Sequence, residues 1–420
     1  MPLRLKNICK SFGEKQVLTD FTLEAADGER ICILGPSGGG KTTLLNIIAG
    51  LMPPDSGTVQ LPEGKISYVF QEYRLLPWLN AEENITAAAG CDRELARHML
   101  RAMELGKHAG MEVGGACSVQ ECWDLVRTAQ RTGMGCMLLE NCCYNREEMA
   151  LLNMVRDGLF GELVHVQGGY EHDLRDEIGL GDVNRHYRQH NFASRNGELY
   201  PTHELGPIGM YLDLNGNNRM VSLVSMASKA AGLGAWLREN RQDRPDLQKR
   251  DFLEGDVVTT MIRCARGETI LLTHDCTLPR PYSRGGRIQG TMAIWMEDNR
   301  SIYVDGVTPH LPKDFSHSWE SDAPYMDRYE SALWKEYREF GLRGGHGGMD
   351  YLVLRGFIEA IQQGTPMPID VYDTAALMCI TPLSEQSIAC GSTPVAIPDF
   401  TEGRWLTDRP RAEGPYRLAR

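Results

Sequence analysis

Apolar and polar positions change their period several times along this chain, and each change predicts an element. Arg30–Leu34, RICIL, reads as a buried strand, and LLNIIAG after it carries helical spacing that ends on Gly50. ISYVF, residues 66–70, has the look of a further strand. Residues 92–105, DRELARHMLRAMEL, put Leu95, Met99 and Met103 on one side of an amphipathic helix. A short strand at Ala109–Val113 follows. Then come a helix in CSVQECWDLVRTAQRTG that Gly133 stops, a strand over 136–141, and a helix in EEMALLNMVRDGLFG. Alternation of strand and helix predicts a parallel α/β sheet. From ELVHVQGGYEHD onward the style changes. DVVTTMIRCA, ETILLTHDCT, IQGTMAIWM and SIYVDG succeed one another with turns between, which predicts an open, mainly antiparallel sheet. The late helices DYLVLRGFIEAIQQG and TAALMCITPLSEQSIA flank it.

Composition narrows the function classes. The 420 residues suffice for two or three domains, and 42% hydrophobic with 24% charged residues is ordinary for a water-soluble chain. A formal charge of −12 speaks against general affinity for nucleic acid or an anionic membrane. The start, MPLRLKNICKSFG, lacks the apolar core of a signal peptide, and no apolar run has the length of a membrane span. The expectation is a cytoplasmic protein. Its twelve cysteines form no matched C-x-x-C pairs, which argues for reduced thiols and against a zinc site. There is no internal repeat.

The first candidate chemistry is phosphate binding. RICIL runs into Gly35-Pro36-Ser37-Gly38-Gly39-Gly40-Lys41-Thr42-Thr43, the G-x-x-x-x-G-K-T pattern between a strand and a helix. Glycines let backbone N–H groups close around phosphate oxygens, and the helix N-terminus adds its positive end. Lys41 reaches terminal phosphates and the Thr42 hydroxyl can ligate Mg²⁺. With Phe12, LMPPDSGTV at 51–59, Tyr68-Val-Phe-Gln71, Leu75-Leu-Pro-Trp-Leu79 and Glu83-Asn84-Ile85, this segment resembles the ATP-binding subunit of an ABC transporter, most like importers of sulfonates or nitrate. The resemblance implies adenine stacking on Phe12 and ATP contacts at Gly35, Ser37, Gly38, Gly40, Lys41, Thr42, Thr43 and Gln71, with Mg²⁺ held by Thr42 and Gln71. It then stops. No LSGGQ-type signature and no apolar run ending in Asp-Glu follow, so nucleotide binding with little hydrolysis is expected. Ile270-Leu-Leu-Thr-His-Asp275 imitates the family's histidine switch among neighbours of another kind.

Those neighbours carry the second resemblance. Glu140-Asn-Cys-Cys-Tyr144, Leu199-Tyr-Pro-Thr-His-Glu-Leu-Gly-Pro207, His274-Asp-Cys-Thr-Leu-Pro-Arg-Pro-Tyr-Ser-Arg284 and Gly345-His-Gly-Gly-Met-Asp350 are similar to glycoside hydrolase family 109, within the glucose–fructose oxidoreductase-like superfamily. The resemblance covers residues from about 99 to 420. It implies an NAD-dependent α-N-acetylgalactosaminidase. In that family NAD⁺ takes hydride from the sugar, the ketone acidifies the neighbouring C–H, elimination expels the glycosidic oxygen, water adds, and the hydride returns. No pair of catalytic carboxylates is needed. By resemblance His203 and Tyr200 are the acid/base pair, Tyr170, Arg188, Tyr200 and Tyr282 contact the sugar, and Glu112, Val113 and Asn141 lie near the nicotinamide. From the residues alone, Glu112 and Asn141 could equally end their strands, Tyr282 could be a turn aromatic, and Asp350 could cap the helix after His346.

The fold class is thus α/β plus α+β: a partial P-loop ABC ATPase segment at 1–98, a partial Rossmann sheet at 99–165, and a mainly antiparallel open sheet with helices at 166–420. A G-x-G-x-x-G turn with its acidic partner is expected before Gly106 and is not found there, so the seat for the adenine end of NAD is expected to be missing. The strand at Ala109–Val113 should then carry an unpaired edge. The change of family inside one helix, with no Pro-, Gly- or Ser-rich linker, suggests a chimeric, recombined reading frame. A small glycoside and a nucleotide are the expected partners, and a homo-oligomer stays open.

Overall fold

The computed structural model describes residues 3–12, 15–25, 40–48, 52–61, 91–181, 187–308, 319–341, 344–407 and 409–418. The chain divides into two compact units, Met1–Arg74 and Leu75–Arg420. In the first, β1 (Leu3–Phe12) pairs antiparallel with β2 (Lys15–Ala25) and with β3 (Ser56–Gln60), giving the order β2-β1-β3. A helix at Lys41–Ile48 supplies Leu44 and Ile47 to a small core with Leu5, Ile8 and Leu18. Gly40 precedes it at φ 83°, where an added Cβ would meet the Val17 side chain at 2.9 Å and its backbone oxygen at 3.0 Å. RICIL, ISYVF and Gly50 lie outside the described residues.

Among the described residues the second unit opens on the helix Cys91–Glu104, one residue from its expected bounds. Met103 is fully buried, and Leu95 and Met99 pack on the main core, as their spacing required. β4 (Ala109–Met111) and β5 (Cys136–Leu138) then form a two-stranded parallel sheet. The helix Val119–Thr132 joins them. Ser118 and Glu121 make a capping box at its start, and Gly133 ends it in the left-handed conformation at φ 69°. Both strands are shorter than their apolar runs. After β5 the buried Glu140 side chain accepts the Cys142 N–H, which turns the backbone into a 3₁₀ helix at Asn141–Tyr144. Among the described residues no strand pairs with the outer edge of β4.

The helix Arg146–Arg156, capped by Asn145, leads into the large sheet. β6 is Leu163–Glu171, β7 Met220–Ala227, β8 Val257–Cys264 and β9 Thr269–Asp275. β10 is Arg287–Gly290, β11 Ala293–Met296, β12 Ser301–Val304, β13 Glu320–Ser321 and β14 Val395–Ala396. Their order is β13-β12-β11-β10-β6-β9-β8-β7-β14. Every neighbouring pair is antiparallel except β6 and β9, so the sheet is open and mainly antiparallel as the turn spacing predicted.

Two elements depart from their patterns. IQGTMAIWM is a hairpin, not one strand, because the Thr291 and Met292 N–H groups turn back to the carbonyls of Glu162 and Phe160. TAALMCITPLSEQSIA is two helices, Val371–Met378 and Ile380–Ala389. Pro382 has no N–H to offer the Met378 carbonyl, so the ladder breaks between them. Val166, Leu223, Ile262, Ile270, Leu272, Ile288 and Trp295 bury one face of the sheet in the same core as these helices. Trp295 also donates its indole N–H to Asp322 at 2.9 Å. Among the described residues no helix is long and apolar enough to cross a membrane. Every cysteine whose side chain is described is free.

Candidate active site

The C-terminal end of β6 delivers Tyr170, and the helix Thr202–Tyr211 delivers His203 beside it. Two glycines in β6 permit this approach. A Cβ on Gly168 would lie 1.7 Å from Glu204 Cγ, and one on Gly169 would lie 2.0 Å from the Thr273 carbonyl oxygen of β9. Only bare backbone lets the helix and the parallel neighbour strand come so close.

An aromatic cluster results. Ring centroids are 4.5 Å apart for Tyr170 and Tyr200, 4.8 Å for Tyr200 and His203, 5.5 Å for Tyr170 and His203, and 6.5 Å for Tyr170 and Tyr282. The Arg188 guanidinium lies 5.1 Å from the Tyr200 centroid and 5.7 Å from that of Tyr170. It donates to the Tyr170 hydroxyl at 3.3 Å and to Glu177 at 2.7 Å. Burial pushes the phenols of Tyr170, Tyr200 and Tyr282 above their ordinary range, so their hydroxyls remain proton donors. Tyr282, half exposed, is more than a turn aromatic, since its ring meets His172 at 5.0 Å and Tyr170 edge-on.

His203 Nδ1 sits 2.9 and 3.1 Å from the two oxygens of the fully buried Glu140. Beneath them, Arg284 pairs with Glu148 at 2.6 Å and approaches Glu204 at 3.7 Å, while Tyr211 donates to Glu148. Burial raises both Glu148 and Glu204 despite the single guanidinium between them. Glu140, Cys142 and His203 offer ligand atoms within 4.8 Å of one another, the one such grouping among the described residues. A metal there would compete for the atoms that make the His203–Glu140 hydrogen bond.

Glu112 and Val113 follow β4, and Asn141 follows β5, at the C-terminal ends where parallel sheets receive ligands. A small cavity is lined by Gly114, Ala116, Tyr200, Pro201, Thr202 and Thr381, and none of Glu112, Val113 and Asn141 lines it. A larger one, by Cys143, Gly206, Asp373 and Arg411, contains none of the expected site residues. Asp350 does not cap its helix. Its carboxylate instead accepts from Asn141 Nδ2 at 2.6 Å and from His346 Nδ1 at 2.8 Å, and Gly348 stands at the cap position. His172, Glu140 and Asp350 were given no site role on the sequence, although Glu140 and Asp350 stand in two of the matched motifs.

In the first unit Phe12 is exposed at the end of β1, with the Lys10 ammonium 5.9 Å from its ring. Lys41, Thr42 and Thr43 open the helix after Gly40. Gly35, Ser37, Gly38 and Gln71 lie outside the described residues, as does the Thr42 side chain.

Comparison with known proteins gives this geometry a setting. The chain is 44% identical over 330 residues to a glycosyl hydrolase family 109 protein of Stenotrophomonas maltophilia, covering 74% of this chain and 71% of that one. It is 42% identical over 328 residues to an alpha-N-acetylgalactosaminidase of Tannerella forsythia, covering 74% and 69%. Among solved structures, an NAD binding oxidoreductase from Klebsiella pneumoniae shares the fold at a TM-score of 0.52 and 13% identity, over 73% of this chain and 78% of that one. An ABC transporter family model matches residues 18–120. The model of the glycosyl hydrolase 109 C-terminal domain matches residues 144–407, well over half of the sequence, and the chain belongs to that glycoside hydrolase family.

Proposed function

We propose that the chain is an NAD-dependent glycosidase for α-N-acetylgalactosaminides, with His203 as its acid/base. The observation that carries this is the convergence of Tyr170, Tyr200, Tyr282, Arg188 and His203, drawn from four separate stretches of sequence, on one cluster. Relatives of the same family, one of them named for this activity, support the substrate class.

The residues fit the nicotinamide half of the cofactor. Gly114 at φ 81° and Gly115, whose Cβ would strike Met111, turn the chain sharply after β4 where Gly114 lines a small cavity. Glu112, Val113 and Asn141 would hold that half. When bound, the group supplies reversible hydride removal from a sugar carbon. The adenine half finds no G-x-G-x-x-G seat in the sequence before Gly106, which points to weak retention.

The chain's own residues do the rest. Tyr170 and Tyr282 give the sugar ring an edge and a face, and the Tyr170 hydroxyl, supported by Arg188, donates to a sugar oxygen. His203 exchanges protons with the ring C–H or the departing oxygen, since an imidazole can both give and take a proton. Tyr200, protonated and 4.8 Å away ring to ring, donates to the hydroxyl being handled. The test is p-nitrophenyl α-N-acetylgalactosaminide with added NAD⁺. Nitrophenol release that vanishes in His203→Gln supports the reading, and release that survives in that variant overturns it.

The ABC transporter match favours a second reading for the first segment, in which Lys41 and Thr43 help bind ATP with Mg²⁺ and little hydrolysis follows. Calorimetric titration of ATP against Lys41→Ala tests it. Equal binding by both proteins refutes it.

A further inference from the structure

Glu140 is sealed from solvent, and its neighbours hold it in one place. The Cys142 backbone N–H donates to Oε1 at 3.1 Å, and His203 Nδ1 lies 2.9 Å from Oε1 and 3.1 Å from Oε2. The helix that carries His203 is pressed onto this carboxylate. A Cβ on Gly206 would stand 2.9 Å from Cys143 Sγ and 3.0 Å from Glu140 Cγ, so a glycine sits where the helix crosses. An ionised carboxylate only accepts hydrogen bonds. The imidazole nitrogen facing it must therefore carry a proton. We infer that Glu140 is the positioning residue of this site: its carboxylate takes the Nδ1–H of His203, fixes the tautomer, and leaves Nε2 as the atom that exchanges protons in the cleft.

This rests on the glycosidase reading of His203 and adds a group to it. Burial by itself would drive the Glu140 carboxyl upward, but His203 and the Cys142 N–H hold it below the ordinary carboxylate range, so it stays an acceptor. When Nε2 takes up a proton, the new positive charge is already opposed by a fixed negative one. The ring then need not swing out to find a partner.

The Cys142 N–H also decides what Glu140→Gln does. That N–H claims the oxygen of the new carboxamide at the Oε1 position, 2.9 Å from His203 Nδ1, and the amide NH₂ takes the Oε2 position at 3.1 Å. A neutral amide oxygen accepts more weakly than a carboxylate and a donor now stands beside it, so the preference for Nδ1–H is lost and the proton shifts toward Nε2. Long-range ¹H–¹⁵N correlation on histidine-labelled full-length protein at pH 8 reads the tautomer directly, with His203→Gln identifying the resonance. The expected result is Nδ1–H in the native protein and Nε2–H in Glu140→Gln, both folded by circular dichroism. In the nitrophenyl glycoside assay with NAD⁺, Glu140→Gln should lower kcat by about 10²–10⁴-fold, with KM within about 3-fold, the size of effect a misplaced base proton produces. Glu140→Asp keeps an acceptor and should retain Nδ1–H and part of kcat. An unchanged tautomer in Glu140→Gln overturns the assignment, as does an unchanged kcat. If the native chain turns over no glycoside, the functional reading fails, while the tautomer still settles what Glu140 does to His203.

Discussion

Gly168→Ala offers a test of how the site is built. Its Cβ would fall 1.7 Å from Glu204 Cγ, 2.6 Å from Cδ and 2.9 Å from Cβ. Carbon atoms rest about 3.5–4.0 Å apart, so the side chain of Glu204 must retreat by roughly 2 Å. It has little room, being buried on a helix that also holds His203 and lying beside Arg284. Overpacking of this kind costs about 1–3 kcal/mol, and the position belongs at the upper end. Replacing a strand glycine returns about 0.5–1 kcal/mol of backbone entropy, which leaves a net loss near 2 kcal/mol. For a unit of this size, Leu75–Arg420, that is a fall in Tm of roughly 3 °C, readable by circular dichroism. A cycle with Glu204→Ala isolates the cause, since that change removes the two closest atoms. The double variant should be less unstable than the sum of the singles by at least ~1 kcal/mol. A single variant within about 0.5 kcal/mol of native, or strict additivity, would refute the close approach of helix and strand.

Three further outcomes follow from buried charge and from the aromatic cluster. Glu198 is fully buried and desolvation lifts its carboxyl from 4.5 to about 7. Because the folded state holds this proton more tightly, its contribution is complete below about pH 4.5 and is lost as pH rises through 7, roughly 3 kcal/mol in all. Glu198→Gln should therefore flatten urea stability between pH 5 and 8 relative to native, and an unaltered difference would contradict the burial. Arg284→Met strands Glu148 and Glu204 without their cation and should cost about 3–5 kcal/mol at pH 8. The loss should shrink as pH falls, because burial raises both carboxyls and eases their protonation, and denaturant curves at pH 8 and at lower pH decide it. Tyr282→Ala removes a half-exposed ring from the sugar side of the cluster. It should raise KM for the nitrophenyl glycoside by about 10-fold with stability within about 0.5 kcal/mol, and an unchanged KM would remove Tyr282 from the site.

The periodic stretches were legible without coordinates because their burial is one-sided. Met103 and its helix neighbours, the helix that Gly133 stops, and the strand β8 all lie where the pattern placed them. The hairpin at Thr291-Met292 and the break at Cys379 were not legible. Each depends on a backbone partner distant in the chain or on one missing N–H inside an apolar run. Tyr170, Tyr200, His203 and Tyr282 were named from motif resemblance, and their proximity is a property of the fold alone. Glu140, His172 and Asp350 escaped because a carboxylate or imidazole looks the same in sequence whether it faces water or a second ring. The Asp350 case is instructive, since its place near a helix start suggested capping while its carboxylate joins Asn141 to His346.

The single parallel pairing in the large sheet has a consequence for how the enzyme comes into being. His165 of β6 and Thr269 of β9 share a hydrogen bond although 104 residues separate them. Closing so long a span is slow and is rewarded only when both partners are present. Tyr170 must therefore wait, during synthesis, for the strand that will lie beside it.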